Sequence, residues 1–145
     1  ARRDNKRTGC WQQDSIQAAL LGLTEQAKTY LVQAVTTENL MGSANEKANR
    51  SDSRFPAFWG PNFDWIPDQC QASVILSTLQ YMLMQTDGKK IILLPAWPKE
   101  WNVSFKLHAP YQTIVEGRVE NGKVLDLKVT PESRAKDIVN AMPNQ

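Results

Sequence analysis

"DQCQASVILSTLQYMLMQTDGKKIILLPA", residues 68–96, changes its hydrophobic period partway along, and that change decides the fold class. Ala72, Ile75/Leu76, Leu79 and Met82/Leu83 recur at helical spacing, which predicts a helix over 68–85. Val74 and Met84 make that helix apolar on other sides too, the pattern of an element buried between neighbours. Asp87-Gly88 reads as its stop signal. Past Gly88 the period falls to two. "KIILLPA" reads as a buried strand, and "NVSFKLH" alternates Val103, Phe105 and Leu107. "YQTIVEGRVE" and "KVLDLKV" flank Asn121-Gly122, a strong hairpin signal. In the second of these runs Leu125, Leu127 and Val129 are expected to face inward, and "KDIVN" to add a last short strand.

Upstream, "DSIQAALLGLTEQAKTYLVQAV" (residues 14–35) repeats apolar groups at Ile16, Ala19/Leu20, Leu23, Ala27, Tyr30/Leu31 and Ala34. That spacing predicts one long helix, with Asp14 and Gln17 as a capping box at its start. The fold class is therefore α+β: two long helices followed by a small antiparallel β-sheet or half-sandwich. Residues 1–87 form the helical segment and 88–145 the β-domain. Two long helices cannot bury their apolar faces against so small a sheet, so further helices or a second copy are expected to cover them.

The totals fit an ordinary globular chain of 145 residues with 41% apolar residues and a net charge of +2. Lys/Arg against Asp/Glu is eight to nine through Asp87 and nine to six from Gly88 on, too even to argue for nucleic acid. The cluster Arg2, Arg3, Lys6, Arg7 reads as a solvated terminus. No apolar run reaches the ~20 residues a membrane helix needs, and no signal peptide is visible. The chain opens "ARRDNKRTGCW" without methionine and reads as a processed chain or a piece of a longer one. Cys10 and Cys70 either form one disulfide or remain two buried free thiols, and no spacing suggests a zinc site. No metal or other cofactor is expected. His108, the only histidine, reads as a structural residue.

Between the helical runs, "FPAFWGPNFDWIPDQC" (residues 55–70) combines Pro56, Gly60, Pro61 and Pro67 with aromatic rings and carboxylates. No regular element tolerates those breaks, yet the stretch is too aromatic for a linker. Trp59, Phe63 and Trp65 are flat rings held at low entropy cost, suited to packing, to sugar faces or to protein partners. Asp64 with Asn62 fits an Asx turn or a contact to a substrate hydroxyl. Asp68 and Gln71 fit a second capping box. A carboxylate at a helix N-terminus has its charged form favoured, which suits a general base and not a general acid. Trp97 and Trp101 are expected to pin the first strand of the sheet to the helices. Asn49-Arg50-Ser51 and Asn102-Val103-Ser104 match the N-glycosylation pattern.

The pieces "WIPDQCQ", "YMLMQT" and "IILLPAWPKEW" together resemble the end of the catalytic domain in α/α-toroid (six-hairpin) glycoside hydrolases, in particular the alpha-L-fucosidase family (family 95) and its uncharacterised Bacteroidetes relatives. In that family an "FQIDGNFG"-type segment opens a late helix, and a strand and a small C-terminal β-domain follow in the same order. "FKLHAPYQTIVEG" looks more like the relatives than the fucosidases themselves. The resemblance covers essentially the whole chain, which would correspond to the tail of such an enzyme. It implies an inverting hydrolysis of glycosidic bonds with Asp68 as the base that activates water. Trp59, Asn62, Asp64, Trp65 and Gln69 would line the substrate site. The family's Gly-Asn-Phe-Gly is replaced here by Gln69-Cys70-Gln71, and Asp68 lies two residues further from the helix end. The family's general acid, a Glu on an earlier helix, has no match; Glu38 and Glu46 are poor substitutes. The implied partners are an oligosaccharide or glycoside substrate and the remaining catalytic domain of a parent chain, in the periplasm or outside the cell. The isolated chain is then expected to show no turnover. Two alternatives stand beside this: a carbohydrate-binding or scaffolding unit of the same fold without hydrolysis, and a two-layer interaction module with no sugar role.

Overall fold

The computed structural model describes residues 13–36 and 70–140. Among them are three helices, α1 (Asp14–Leu20), α2 (Thr24–Thr36) and α3 (Cys70–Leu83), and six strands. The strands are β1 (Met84–Asp87), β2 (Lys90–Leu93), β3 (Val103–Ala109), β4 (Thr113–Glu120), β5 (Lys123–Thr130) and β6 (Ile138–Asn140), with a 3-10 helix at Glu132–Asp137. They form two three-stranded sheets, ordered β1-β2-β6 and β3-β4-β5. All pairings are antiparallel except β2 with β6, which is parallel. The α+β class of the sequence reading holds, but the helices are short.

The single helix expected over 14–35 is two. Gly22 adopts φ 71°, Leu23 N–H donates to Ala18 O and Gly22 N–H to Ala19 O. This is the Schellman arrangement, which satisfies the last carbonyls of α1 and turns the chain back as α2. Periodicity survives the break because Ala18, Ala19, Ala27, Leu31 and Ala34 still reach the core. The expected Asp14–Gln17 capping box does not form. Gln13 is the N-cap residue and makes no side-chain cap bond, so Asp14 already sits in the first turn, where its charge suits the helix N-terminus.

The helix expected over 68–85 ends at Leu83, and Asp87-Gly88 is a hairpin turn instead of a helix stop. Asp87 pairs with Lys90 across a two-residue loop, with Gly88 at φ 57°. Glycine at the first loop position is a hairpin signal. The 87/88 position therefore falls within the β1–β2 loop. Leu76 of α3 points outward and is 59% exposed, whereas Ile75, Leu79, Met82 and Leu83 pack in the core.

Parity along β5 is also different from expectation. Val124 pairs with the buried Val119, and Val129 with the buried Val115. Between them Asp126 and Leu127 together face Gly117, a bulge in which Asp126 takes φ 52°. One extra residue flips every side chain after it. Leu125, before the bulge, pairs with Arg118 on the outer face, and Leu127, within it, is exposed. Opposite the bulge, a Cβ on Gly117 would lie 3.2 Å from the Phe105 ring, so the ring covers the glycine and would have to yield to a side chain there.

One core cluster runs through both layers, from Ala19, Ala27 and Leu31 through Met82, Ile91, Leu93 and Trp97 to Val115 and Val119. Trp97 donates its Nε1–H to Trp101 O at 2.8 Å and meets the Trp101 ring edge-on at 5.7 Å. The buried polar pair Ser15–Thr78 joins α1 to α3 at 2.8 Å. Thr78 already donates its only proton to Val74 O, so Ser15 is the donor between them.

That assignment makes the two hydroxyls unequal. Thr78→Val leaves the Ser15 hydroxyl buried without its acceptor and is expected to cost about 1–3 kcal/mol. Ser15→Ala leaves Thr78 bonded to Val74 O and is expected to cost about 1 kcal/mol or less. Chemical denaturation of the two variants checks the order. Gly22→Ala forces a side chain into the left-handed region and is expected to lose about 1–2 kcal/mol in the same experiment.

Candidate functional site

The candidate base Asp68 and the candidate sugar contacts Trp59, Asn62, Asp64, Trp65 and Gln69 all lie outside the described residues. So do the Asx turn expected at Asp64, the cap expected at Asp68, Glu38, Glu46, Cys10, Asn49 and the basic cluster at Arg2–Arg7. The described element nearest to them in sequence is α3, which begins at Cys70 and so starts two residues after Asp68. Its N-terminal backbone N–H groups and dipole favour negative charge, the property the base role requires. From there α3 runs without a loop into β1, so the chain that carries Asp68 is fixed at its far end by the core residues Met82, Leu83 and Met84.

Several of the described charged side chains are engaged in ion pairs. Lys28 of α2 binds Glu100 in the loop before β3. Lys106 meets Glu116 across β3 and β4 at 3.2 Å. Arg118 donates from Nε and Nη2 to Asp126 Oδ2, at 2.9 and 2.7 Å, and from Nη1 to Glu120 Oε1 at 2.8 Å. The bidentate bond to Asp126 raises the Arg118 pKa above its ordinary value. It also holds the bulge residue in place. Among the described residues no group of three or more His, Cys, Asp or Glu is placed to hold a metal ion. No helix among them is long and apolar enough to cross a membrane. His108 is exposed on β3. Asn102 of the second glycosylation pattern is exposed, and its Oδ1 accepts the Asn121 N–H at 3.0 Å.

A cluster that the sequence reading passed over sits where three turns meet. The β3–β4 connection is Pro110-Tyr111-Gln112, with Tyr111 at φ 63° and Gln112 at φ 53°. Two adjacent non-glycine residues in the left-handed region cost about 1–2 kcal/mol each. They are held there by Arg134 of the 3-10 helix. Its guanidinium lies 5.2 Å from the Tyr111 ring centroid. It donates from Nε to Thr113 Oγ1 and from Nη2 to Lys89 O, both at 3.0 Å, and pairs with Asp137. Thr113 in turn donates to Tyr111 O at 3.2 Å. Arg134 is 11% exposed along its side chain, whereas Tyr111 is 59% exposed. The signal in the sequence was "PYQ" between two alternating runs, a hairpin turn without the Gly, Asn or Asp that positive φ favours.

The Lys28–Glu100 pair gives a pH prediction. Its hydrogen bond holds the Glu100 carboxyl below the usual glutamate range and raises Lys28 above the usual lysine range. A lowered carboxyl pKa stabilises fully above the unfolded glutamate value and loses that effect as pH falls through the folded one. A raised lysine pKa stabilises fully below the unfolded lysine value and loses it as pH rises through the folded one. Thermal melts of wild type and Glu100→Gln are expected to differ at neutral pH and converge in acid. Added salt should shrink the neutral-pH difference, since both groups are at the surface.

Comparison of the chain with protein-family models, curated proteins and solved structures returned no match.

Proposed function

We propose that the chain is the C-terminal part of an α/α-toroid glycoside hydrolase whose Asp68 is the general base of an inverting reaction. The observation that carries this reading is the order of elements around the resembling motifs. "YMLMQT" spans the end of α3 and the start of β1, and "IILLPAWPKEW" spans β2 and the buried Trp97 turn. The helical hairpin α1–α2, the aromatic run and α3 then correspond to the last hairpin of a toroid, and the two sheets to its β-domain. Exposed apolar residues on the helices support it: Leu20, Leu21 and Leu23 at the α1–α2 turn, Val32 and Val35 on α2, and Leu76 on α3. Neighbouring barrel helices of a parent chain would cover them.

In this reading Asp68 takes a proton from a water that attacks the anomeric carbon, while a Glu upstream protonates the leaving oxygen. The two carboxyls of such a pair stand roughly 6.5–9.5 Å apart, leaving room for the water. A base at the start of α3 stays ionised at neutral pH, because helix N–H donors favour the carboxylate. Trp59 and Trp65 would stack on sugar rings, and Asn62, Asp64 and Gln69 would bind hydroxyls. The family's general acid has no match in this chain, so in this reading the acid lies upstream in the parent protein.

Reducing-sugar release from α-fucosyl, α-galactosyl and rhamnosyl substrates by the parent protein tests the proposal. Asp68→Asn is expected to lower kcat by roughly 10²–10⁴-fold with an unchanged melting temperature. A stability loss of about 1 kcal/mol with activity unchanged or never present would make Asp68 a cap residue only. The protein would then be a non-catalytic carbohydrate-binding or scaffolding unit.

A further inference from the structure

We infer that Tyr111 is a carbohydrate-stacking platform, a glycan contact on the β-domain that uses none of the residues assigned to the Asp68 site. The choice of ligand class rests on the carbohydrate reading above; the existence of the platform rests on its own geometry. At the β4–β5 hairpin this chain makes a positive-φ turn with Asn121-Gly122, the residues that do so at least cost. At the β3–β4 hairpin it places a tyrosine in the same region of backbone space and then leaves that tyrosine 59% exposed. Burial does not repay the strain there. Strained positions that are held firmly and face solvent are where ligand contacts concentrate.

Rigidity is the second observation. Arg134 backs the ring at 5.2 Å and is itself fixed by Thr113 Oγ1, Lys89 O and Asp137. A ring so held loses little conformational freedom on binding, which is what a flat stacking surface requires. Its surroundings select the ligand. Gln112, next to it in the chain, is exposed and polar, and so is Lys89, whose carbonyl binds the same Arg134 guanidinium. An amphipathic ring with a neighbouring side-chain amide suits the apolar face and hydroxyls of a pyranose. A single ring binds weakly per site and is useful on a polymer, where repeated sugars raise the effective concentration.

Native gel electrophoresis of the chain through soluble polysaccharides bearing fucosyl, galactosyl or rhamnosyl units reads binding without turnover. Wild type is expected to be retarded by at least one of them. Tyr111→Phe keeps the ring and should keep the retardation, whereas Tyr111→Gly should bind roughly tenfold more weakly. Because glycine relieves the strained backbone, Tyr111→Gly is also expected to melt no lower than wild type, which separates loss of a platform from loss of the fold. Retardation of Tyr111→Gly equal to wild type, or no retardation of wild type by any polysaccharide, overturns the inference. Failure of Asp68→Asn to lose hydrolysis in the parent protein would sink the catalytic reading while leaving this result intact.

Discussion

Leu94 holds the two layers of this protein together, and it does so in a backbone conformation that leucine disfavours. It stands at φ 59°, just past β2, with its side chain fully buried and its N–H donated to Leu83 O at 2.8 Å. Two residues on, Ala96 N–H donates to Met82 O at 3.2 Å. These two bonds satisfy carbonyls at the C-terminal end of α3 and fold the chain after β2 back across it. The left-handed turn costs about 1–2 kcal/mol. Burying a leucine contributes about 1.5–3 kcal/mol and the amide bond about 0.5–1.5 kcal/mol, so the packing wins. Everything downstream depends on the result: Trp97 enters the core from this turn, and the Trp97–Trp101 pair sets where β3 begins.

The same junction is anchored from the other side. Gln85, the second residue of β1, donates its side-chain amide to both Ala19 O and Tyr81 O, at 2.8 and 2.9 Å. One side chain thus ties the end of α1 to the end of α3 and to the first sheet. Helices and strands here share one core, and the passage from period 3.6 to period 2 happens without an intervening loop. A chain built this way transmits the position of α3 directly to both hairpin layers, and, in the proposed function, the reverse: the sheet fixes the helix whose N-terminal approach carries Asp68.

How far the sequence exposed this depends on the physical scale of each signal. Elements set by long periodic runs were legible: α3, β2, β3, β4 and the Asn121-Gly122 hairpin. Features set by one residue's backbone were not. Gly22 interrupts a helical repeat that remains in phase on both sides, so periodicity alone hides the break. Asp87-Gly88 serves equally as a helix terminator and as a hairpin turn, and only the pairing of Met84 with Leu93 decides between them. Asp126 shifts the parity of β5 because a bulge is stabilised across strands, by Arg118 and by the side-chain-free Gly117 under the Phe105 ring. The candidate base and its companions were legible only as residue types among prolines, through a resemblance, because no periodic pattern constrains such a stretch. Tyr111 and Arg134 lie 23 residues apart in the chain. Their contact follows from the 3-10 helix returning over the β3–β4 turn, which no local signal encodes.

The five non-glycine residues at positive φ among the described residues separate structural strain from strain of another kind. Asn121 and Asp126 are short polar residues that tolerate the left-handed region, one in a hairpin turn and one in a bulge. Leu94 does not tolerate it, but its side chain is fully buried and its amide is bonded. Those three are accounted for within the fold. Tyr111 and Gln112 share neither exemption: both are poor residues for the conformation, and both face solvent. A glycine at either position would relieve the turn, at position 111 with loss of the ring contact to the Arg134 guanidinium. Arg134 fixes these residues firmly but gains only one partly exposed ring in doing so. The imbalance is local to the outer surface of the β-domain, and a ligand for the ring is the missing favourable contribution that would balance it.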